Sequence, residues 1–275
     1  MSNINLGALK RPKDFRDIQL GTVSEPLAPE IKPIVYKPDL VKYPKLFQGQ
    51  QPACGAHAGA MLCEILRSIE LNLLQQFSPR FLWTEIKKVD GYPISSGTDM
   101  RNIFKVLQET GVCDFTLGAN NIDLSLQDYA NLSITQEMVD NAFNKEISAY
   151  AFIDNPTFEQ LTDSIYQHQA VLLLLKCDDG FFNTTTPTFT TEKYGHFVVA
   201  AGYDSERGEF YIVDSTEEDF SKSVKTISKD SISFVKELGT VVELSETQIN
   251  NLIKEKELLQ QLVVLYQKLL KLLHL

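Results

Sequence analysis

The spacing of apolar residues changes near Tyr150, and this change constrains the fold more than any other feature of the chain. Between residues 53 and 111, apolar residues recur at three- and four-residue steps, which predicts helices with one buried face. Beyond Tyr150, the continuous apolar runs 170–175 and 197–203 and the stretch 209–213 predict buried strands. Helices followed by strands indicate an α+β protein with two unlike lobes.

Turn and capping residues mark several element ends. Ser78 followed by Pro79 is typical of a helix start, and this helix is expected to run to Val89. Gly111 is expected to end a third helix, and residues 205–208 are expected to form a turn between two strands.

Size and charge exclude several classes of protein. The chain has 275 residues, of which 43% are hydrophobic, so it can bury a sizeable core. Its formal charge of −10, without a cluster of lysine and arginine, argues against a nucleic-acid partner. The first twenty residues contain no apolar run of signal-peptide length and no later stretch approaches a membrane span, so the sequence predicts a cytoplasmic protein.

Both ends of the chain differ from its body. Residues 1–40 carry scattered prolines and few periodic apolar positions, which predicts an extended arm or a short prosegment. Residues 244–275 begin with a capping-box pattern and continue with a wide apolar stripe, which predicts an amphipathic helix. Because its lysines are few and mixed with glutamates, self-association or docking is expected for this helix rather than membrane binding.

The cysteines lie far apart in the sequence, at Cys54, Cys63, Cys113 and Cys177. They lack the C-x-x-C pairing of zinc and redox sites, so neither a metal site nor a disulfide framework is expected. All except Cys54 fall in apolar helix or strand patterns and are interpreted as buried structural thiols. A zinc site built on Cys54 and His57 would lack two further ligands.

Cys54 has the surroundings of a nucleophile. It follows Gln-Pro-Ala at the start of the first helix, where the helix dipole favours a thiolate. A nucleophilic thiol also needs a base, and His196 begins an apolar strand, an unusual place for a polar ring. Asp214 ends the partner strand, where it can accept a hydrogen bond from that imidazole.

The attacked carbonyl becomes an oxyanion that needs hydrogen-bond donors. One donor is the backbone N–H of Cys54, which the start of a helix leaves without an intrahelical partner. Gln48 lies six residues upstream, and its side-chain amide is the favoured second donor. Gln50 and Gln51 are weaker alternatives.

These motifs resemble those of the papain-like cysteine peptidases, in one of their compact microbial or viral branches. The similar segments are 48–54, with Gln-Gly-Gln before the cysteine, 195–203, with Gly-His before an apolar run, and 211–215, with aspartate after Tyr-Ile-Val. The order cysteine, histidine, aspartate and the distances between them along the chain also fit this family.

The resemblance implies a two-lobe fold for a catalytic domain at 41–243, with a helical left lobe and an antiparallel β-barrel-like right lobe. It implies Cys54 as nucleophile, His196 as general base and then acid, and Asp214 as the residue that orients the imidazole. Gln48 and the Cys54 N–H would form the oxyanion hole. The substrate cleft would include Gly97, Thr98 and Gly195.

The match to the family leaves alternatives open. A second alignment places His57 at the nucleophile position and Gln51 at the oxyanion donor, which would make the protein inactive; the first alignment keeps Gln-Gly-Gln intact. The family usually has Asn-Ser-Trp-Gly where this chain has residues 214–217, so a charged aspartate replaces asparagine and the shielding tryptophan is missing. The acidic residues 217–219 are interpreted as a solvated loop, or else as a preference for basic substrates.

The sequence therefore predicts a thiol endopeptidase that acts on peptide or protein substrates by acyl transfer, without a metal or an organic cofactor. A competing interpretation is a catalytically inactive papain-fold protein whose cleft binds peptides and whose C-terminal helix assembles a complex. A third interpretation keeps the same triad in an acyl-transfer enzyme that ligates or deamidates.

Overall fold

The computed structural model describes residues 7–14, 17–20 and 32–242. Its helices are α1 (Cys54–Leu71), α2 (Pro79–Val89), α3 (Met100–Glu109), α4 (Leu126–Ala130), α5 (Gln136–Phe143) and α6 (Phe158–His168). Its strands are β1 (Ala8–Leu9), β2 (Val35–Tyr36), β3 (Thr98–Asp99), β4 (Ala149–Asp154), β5 (Val171–Cys177), β6 (Tyr194–Asp204), β7 (Glu209–Val213), β8 (Val224–Ser228) and β9 (Val235–Val242). The predicted helix at 244–275 and residues 1–6, 15–16 and 21–31 of the predicted arm lie outside the described residues.

The strands of the second lobe form one sheet of seven strands. Its path is β4-β9-β5-β6-β7-β8, with antiparallel neighbours throughout, and β2 pairs with β6 beside this path. Within the described ranges the path does not close, so the lobe predicted to be barrel-like is an open sheet. Gln19 of the arm bridges Phe152 on the outer edge of β4, and it occupies the edge that closure would require.

Helix α1 lies between the sheet and the other helices of the first lobe. Residues 54–65 are all buried, and a fully buried aliphatic side chain such as Leu62 contributes roughly 1.5–3 kcal/mol to stability. Gly55 permits the close approach, because a Cβ there would lie 2.8 Å from Cδ1 of Ile103 and 3.2 Å from the ring of Phe197. This packing fixes the start of α1 against β6.

Predicted and observed elements agree best where a capping residue marks the boundary. Helix α2 spans Pro79–Val89 as predicted, and the Ser78 hydroxyl accepts a hydrogen bond from the N–H of Phe81 at 3.0 Å. Helix α1 ends at Leu71, because Asn72 adopts a left-handed conformation with a φ of 51°. Strands β8 and β9 and helices α4 to α6 were not predicted. None of the helices described is long and apolar enough to cross a membrane.

Part of the predicted arm lies along the body. Ala8–Leu9 pairs in parallel with Thr98–Asp99, directly before α3 of the helical lobe. Further on, the carbonyl of Ile18 accepts a hydrogen bond from the N–H of Phe152 at 2.9 Å, and Leu20 is buried in the core beside the sheet. The arm therefore contacts both lobes.

A group of charges around the buried guanidinium of Arg11, here called the arm cluster, ties the arm to the sheet. It consists of Arg11, Asp17, Asp154 and Glu237. The Arg11 guanidinium donates to Asp17 and to Asp154, both at 2.6 Å, and the Arg11 backbone N–H donates to Glu237 at 3.1 Å. Arg101 of α3 adds a second cation, with Nη2 2.6 Å from Asp17. The cluster joins the arm to β4, β9 and α3.

Candidate active site

Cys54 is the first residue of α1 and is completely buried. No side chain caps this helix start, so the helix leaves the Cys54 backbone N–H without an intrahelical acceptor. Burial disfavours the thiolate, but contact with His196 and the backbone N–H groups of Phe197 and Gly7 outweigh it, so the pKa of the thiol is lowered. The site favours an ionised sulfur.

His196 lies near the start of β6 with its ring fully buried. Its Nε2 is 2.7 Å from Oδ1 of Asp214. Its Nδ1 forms no hydrogen bond to nitrogen or oxygen among the residues described, while the ring and the Cys54 thiol lie close enough to shift each other's pKa. Burial alone would lower the pKa of the imidazole, but Asp214 and the thiolate raise it to about 9.

Asp214 follows β7 directly, and the antiparallel pairing of Val199 with Val213 brings it beside the start of β6. Oδ1 accepts the bond from His196 and another from the N–H of Thr216 at 3.1 Å. Oδ2 accepts from the Thr216 hydroxyl at 2.6 Å. Burial raises the pKa of this carboxyl, but its bond to the imidazole and the nearby Lys225 outweigh burial, so the pKa is lowered.

Gln48 is fully buried beside Asp214's neighbour Ser215. Its backbone N–H donates to the Ser215 carbonyl at 2.9 Å, and its side-chain oxygen accepts from the Ser215 hydroxyl at 2.7 Å. Its side-chain nitrogen donates to the Gln51 carbonyl at 3.0 Å and carries a second proton. The Gln51 amide instead donates to the carbonyls of Ile122 and Leu124, which directs it away from Cys54.

The chain's own arm lies between the residues predicted to bind substrate. Ala8 is paired with Thr98, and a Cβ built on Gly97 would lie 1.1 Å from the Gly7 carbonyl oxygen. A Cβ on Gly195 would lie 2.2 Å from the Ala8 carbonyl oxygen. Both glycines therefore allow a peptide backbone to pass between them, directly over Cys54.

His57 lies where the two lobes meet and lines a cavity with Phe197 and Asp214. Its Nδ1 is 3.0 Å from the Ala53 carbonyl, and burial lowers the pKa of the ring to about 4. The ring is therefore neutral and held by a hydrogen bond to its own helix start. Burial raises the pKa of both Cys63 and Cys113 to about 12, so these thiols stay protonated. No group of three or more histidine, cysteine or acidic side chains in the described ranges is arranged to hold a metal ion.

Three side chains beside the imidazole and the carboxylate were missed by sequence reasoning: Phe181, Thr216 and Lys225. The Phe181 ring contacts the His196 ring edge to face, with centroids 5.2 Å apart, and covers it where a tryptophan shield was noted as missing. Lys225 shares the inward face of β8 with Ile227, an alternation that the sequence carries but that was not used.

The interpretation of residues 217–219 as a solvated loop is wrong for Glu217. This residue is buried, and its carboxylate pairs with the Lys225 ammonium and accepts from the N–H of Asn183 at 2.8 Å. The partner lies on a strand that was not predicted, which explains the error. Glu218 and Asp219 are exposed, as the prediction had them.

A family model described as "Peptidase_C39 like family" matches residues 114–237, which include His196 and Asp214. No curated protein matches the chain significantly.

Several solved structures share the fold. Xylellain, a cysteine protease from Xylella fastidiosa, is 17% identical with a TM-score of 0.74, over 89% of this chain and 98% of xylellain. The digestive procathepsin L2 proteinase of Tenebrio molitor is 15% identical with a TM-score of 0.67, over 87% of this chain and 78% of that one. Procathepsin B S9 of Trypanosoma congolense is 10% identical with a TM-score of 0.66, over 88% and 87% of the two chains.

Proposed function

The chain has the fold of the papain-like cysteine peptidases and matches a peptidase family over residues 114–237, and from this premise we propose that it is a cysteine endopeptidase acting through a thioester at Cys54. Fold and family model confirm the resemblance predicted from the sequence. The observation that carries the proposal is the buried series of thiol, imidazole and carboxylate, Cys54, His196 and Asp214, which lies directly beneath an extended peptide backbone.

In the acylation step, the Cys54 thiolate attacks the scissile carbonyl carbon, and the carbonyl oxygen becomes an oxyanion. The Cys54 N–H and the Gln48 amide are the proposed donors to this oxygen. The His196 imidazolium gives its Nδ1 proton to the leaving amine as the C–N bond breaks. A thioester and a free amine result.

In the deacylation step, His196 acts as a base. Nδ1 takes a proton from water as that water attacks the thioester, and the sulfur leaves as a thiolate. Asp214 keeps the ring oriented through its 2.7 Å contact with Nε2 and stabilises the charged form. The cycle needs no group beyond those of the chain and water.

The substrate is proposed to be a peptide or protein segment in extended conformation. Residues 7–9 of the chain itself support this proposal, because they already lie extended between Gly97 and Gly195. Within this segment, Ala8–Leu9 pairs with Thr98–Asp99. Glycine walls contact main chain rather than side chains, so they favour extended peptides over small molecules.

The arm is proposed to be a built-in inhibitor of the site. Cys54 is completely buried with the arm in place, so a substrate reaches the sulfur only after residues 7–9 have left. The arm directs the N–H of Gly7 at the sulfur.

An epoxide peptide probe, which alkylates an activated thiolate in a formed cleft, tests the proposal. The full chain carries Gly7→Ala to displace the arm, since a Cβ there would lie 2.5 Å from Cα of Gly97. We expect stoichiometric labelling that Cys54→Ala abolishes and that His196→Ala slows at least about 100-fold. Cys63→Ala, a matched thiol in the same helix, is expected to label normally.

A labelling rate that neither Cys54→Ala nor His196→Ala changes would contradict the proposal. It would favour the alternative interpretation of an inactive peptide-binding protein. Product masses in isotopically labelled water identify the reaction. Hydrolysis yields a new carboxylate that carries one labelled oxygen. Ligation to an added amine yields an amide without labelled oxygen.

A further inference from the structure

We propose that Lys225 is a positioning residue of this site: its buried ammonium holds the Asp214 carboxylate in place and compensates the charge that an aspartate brings behind the imidazole. The inference rests on the proposed function. Asp214, Glu217 and Lys225 are here called the Lys225 cluster.

The geometry around Lys225 leaves its ammonium little freedom. Nζ donates to the carbonyls of Phe181 at 3.0 Å and Thr184 at 2.9 Å and to the Glu217 carboxylate, which uses the three protons of an ammonium. Oδ2 of Asp214 lies 3.6 Å from the same nitrogen, and both side chains are fully buried. The ammonium is therefore fixed next to the carboxylate that holds His196.

The Asp214 carboxylate is constrained on both oxygens. His196 and the Thr216 N–H occupy Oδ1, while the Thr216 hydroxyl and the Lys225 charge lie at Oδ2. A rotation of the carboxylate would break contacts on both sides. The imidazole is thus kept in the orientation that leaves Nδ1 for the thiol.

The charges alternate in sign through the site. From the thiolate of Cys54 to Glu217 the order is negative, positive, negative, positive, negative, with His196 and Lys225 as the cations. Two buried carboxylates without a cation would lower the free energy of unfolding. Two carboxylates near one imidazolium would also raise its pKa so far that it could not protonate a leaving amine. Lys225 removes both problems.

Lys225 also positions the ring that covers the imidazole. Its Nζ lies 4.7 Å from the centroid of Phe181 in addition to the hydrogen bond with that residue's carbonyl. The Phe181 ring contacts the His196 ring from the side, and the buried position excludes water from the bond to Asp214. One ammonium therefore supports both the orienting carboxylate and its cover.

Four further titratable groups lie near the cluster: His57, Cys177, Lys45 and Glu64. Burial raises the pKa of the Cys177 thiol and lowers the pKa of His57 to about 4. These two groups are neutral across the neutral and mildly alkaline range. Lys45 and Glu64 line the same cavity as Asp214, and burial brings the pKa of each to about 8, so both titrate within that range and each variant is compared with the Gly7→Ala parent.

The test measures peptide hydrolysis against pH in full-length protein carrying Gly7→Ala, so that the arm does not limit access. Lys225→Met removes the cation and is expected to move the alkaline limb up by about one pH unit and to lower kcat roughly tenfold with little change in KM. Glu217→Gln leaves Asp214 as the only anion facing Lys225, and it is expected to move the limb down. Lys222 is a partly exposed lysine just before β8, and Lys222→Met is expected to leave the pH profile unchanged.

Shifts in opposite directions cannot arise from a general loss of stability. Profiles of both variants that superimpose on the parent, or that move in the same direction, would overturn the role of Lys225. If Lys225→Met does not fold, the downward shift in Glu217→Gln decides the matter alone. Turnover that survives Cys54→Ala would instead overturn the proposed enzyme, so the two failures are distinguishable.

Discussion

The Lys225 cluster and the arm cluster both bury a cation among carboxylates, but they join different parts of the chain. The Lys225 cluster draws its three members from residues 214–225, around one turn of the sheet. The arm cluster joins Arg11 to Asp154 and Glu237 across 143 and 226 positions. The Lys225 cluster lies within one stretch of the sheet lobe, whereas the arm cluster holds the segment that we propose must leave before a substrate binds.

Burial differs between the clusters at one member, Asp154, while Arg11, Asp17 and Glu237 are buried. Lys225 and Asp214 are both 0% exposed, whereas Asp154 of the arm cluster is 37% exposed. Charges close to water regain their hydration readily when a pair separates. We therefore propose that the same chemistry serves as a fixed support in one cluster and as a releasable closure in the other.

Unfolding in urea is expected to separate the two clusters most strongly. Lys225→Met leaves two buried carboxylates without their cation, and its free energy of unfolding is expected to fall by about 3–5 kcal/mol. Arg11→Met is expected to cost about 1.5–3 kcal/mol, because the arm can move away and hydrate its partners. Equal losses in the two variants would contradict the distinction between a fixed and a releasable cluster.

Release of the arm is the second point at which the clusters should differ. Arg11→Met weakens the closed state, so labelling of Cys54 by the epoxide probe is expected to accelerate roughly ten- to a hundredfold, the range that about 1.4–2.8 kcal/mol allows. Lys13→Met changes an exposed cation of the same arm and is expected to have no effect. An unmutated chain that labels as fast as Arg11→Met would show that the cluster does not hold the arm.

The third prediction concerns pH and sharpens the role of the fixed cluster. The pKa of His196, raised from 6.5 to about 9, sets the alkaline limb of turnover, since the imidazolium protonates the leaving amine. Turnover is expected to be half-maximal near that pH and to fall about tenfold for each further unit. The charged ring's contribution to folding should be complete below its unfolded pKa and be lost as pH rises through about 9.

A matched substitution checks this assignment. Asp214→Asn removes the anion that raises the pKa of His196, and the alkaline limb is expected to move toward lower pH. A limb that stays in place would mean that another group sets it.

The smallest effect is expected for Glu237→Gln in the arm cluster. Burial raises the pKa of Glu237 to about 7, so much of its charge is already absent at neutral pH. The glutamine oxygen can still accept the bond from the Arg11 N–H, and stability is expected to change by less than about 1 kcal/mol. Thermal melts measure this change, and a labelling rate raised as far as in Arg11→Met would contradict it.

The sequence could predict features that depend on neighbours along the chain. Ser78 and Pro79 predicted the start of α2. The Gln-Pro-Ala segment before Cys54 predicted that this cysteine begins a helix. His196 and Asp214 could be paired because their strands are joined by a short turn at 205–208. Local chemistry was sufficient at each of these points.

Features that depend on distant contacts could not be predicted in the same way. Glu217 carries no local mark of burial, because its partner Lys225 faces it only after β8 has paired with β7. The pairing of Ala8–Leu9 with Thr98–Asp99 is two residues long, too short for any periodicity to indicate it. The open edge of the sheet likewise depends on where arm residue Gln19 lies.

The contact between Gly7 and Gly97 has a consequence for dose. The blocking segment and the groove belong to one covalent chain, so their encounter is unimolecular, with an effective concentration set by the connecting residues. If the arm inhibits the site as proposed, diluting the protein leaves the blocked fraction unchanged, because each copy carries its own blocking segment. A competitor added to the solution must overcome the constant local concentration of the arm, whatever the concentration of the protein.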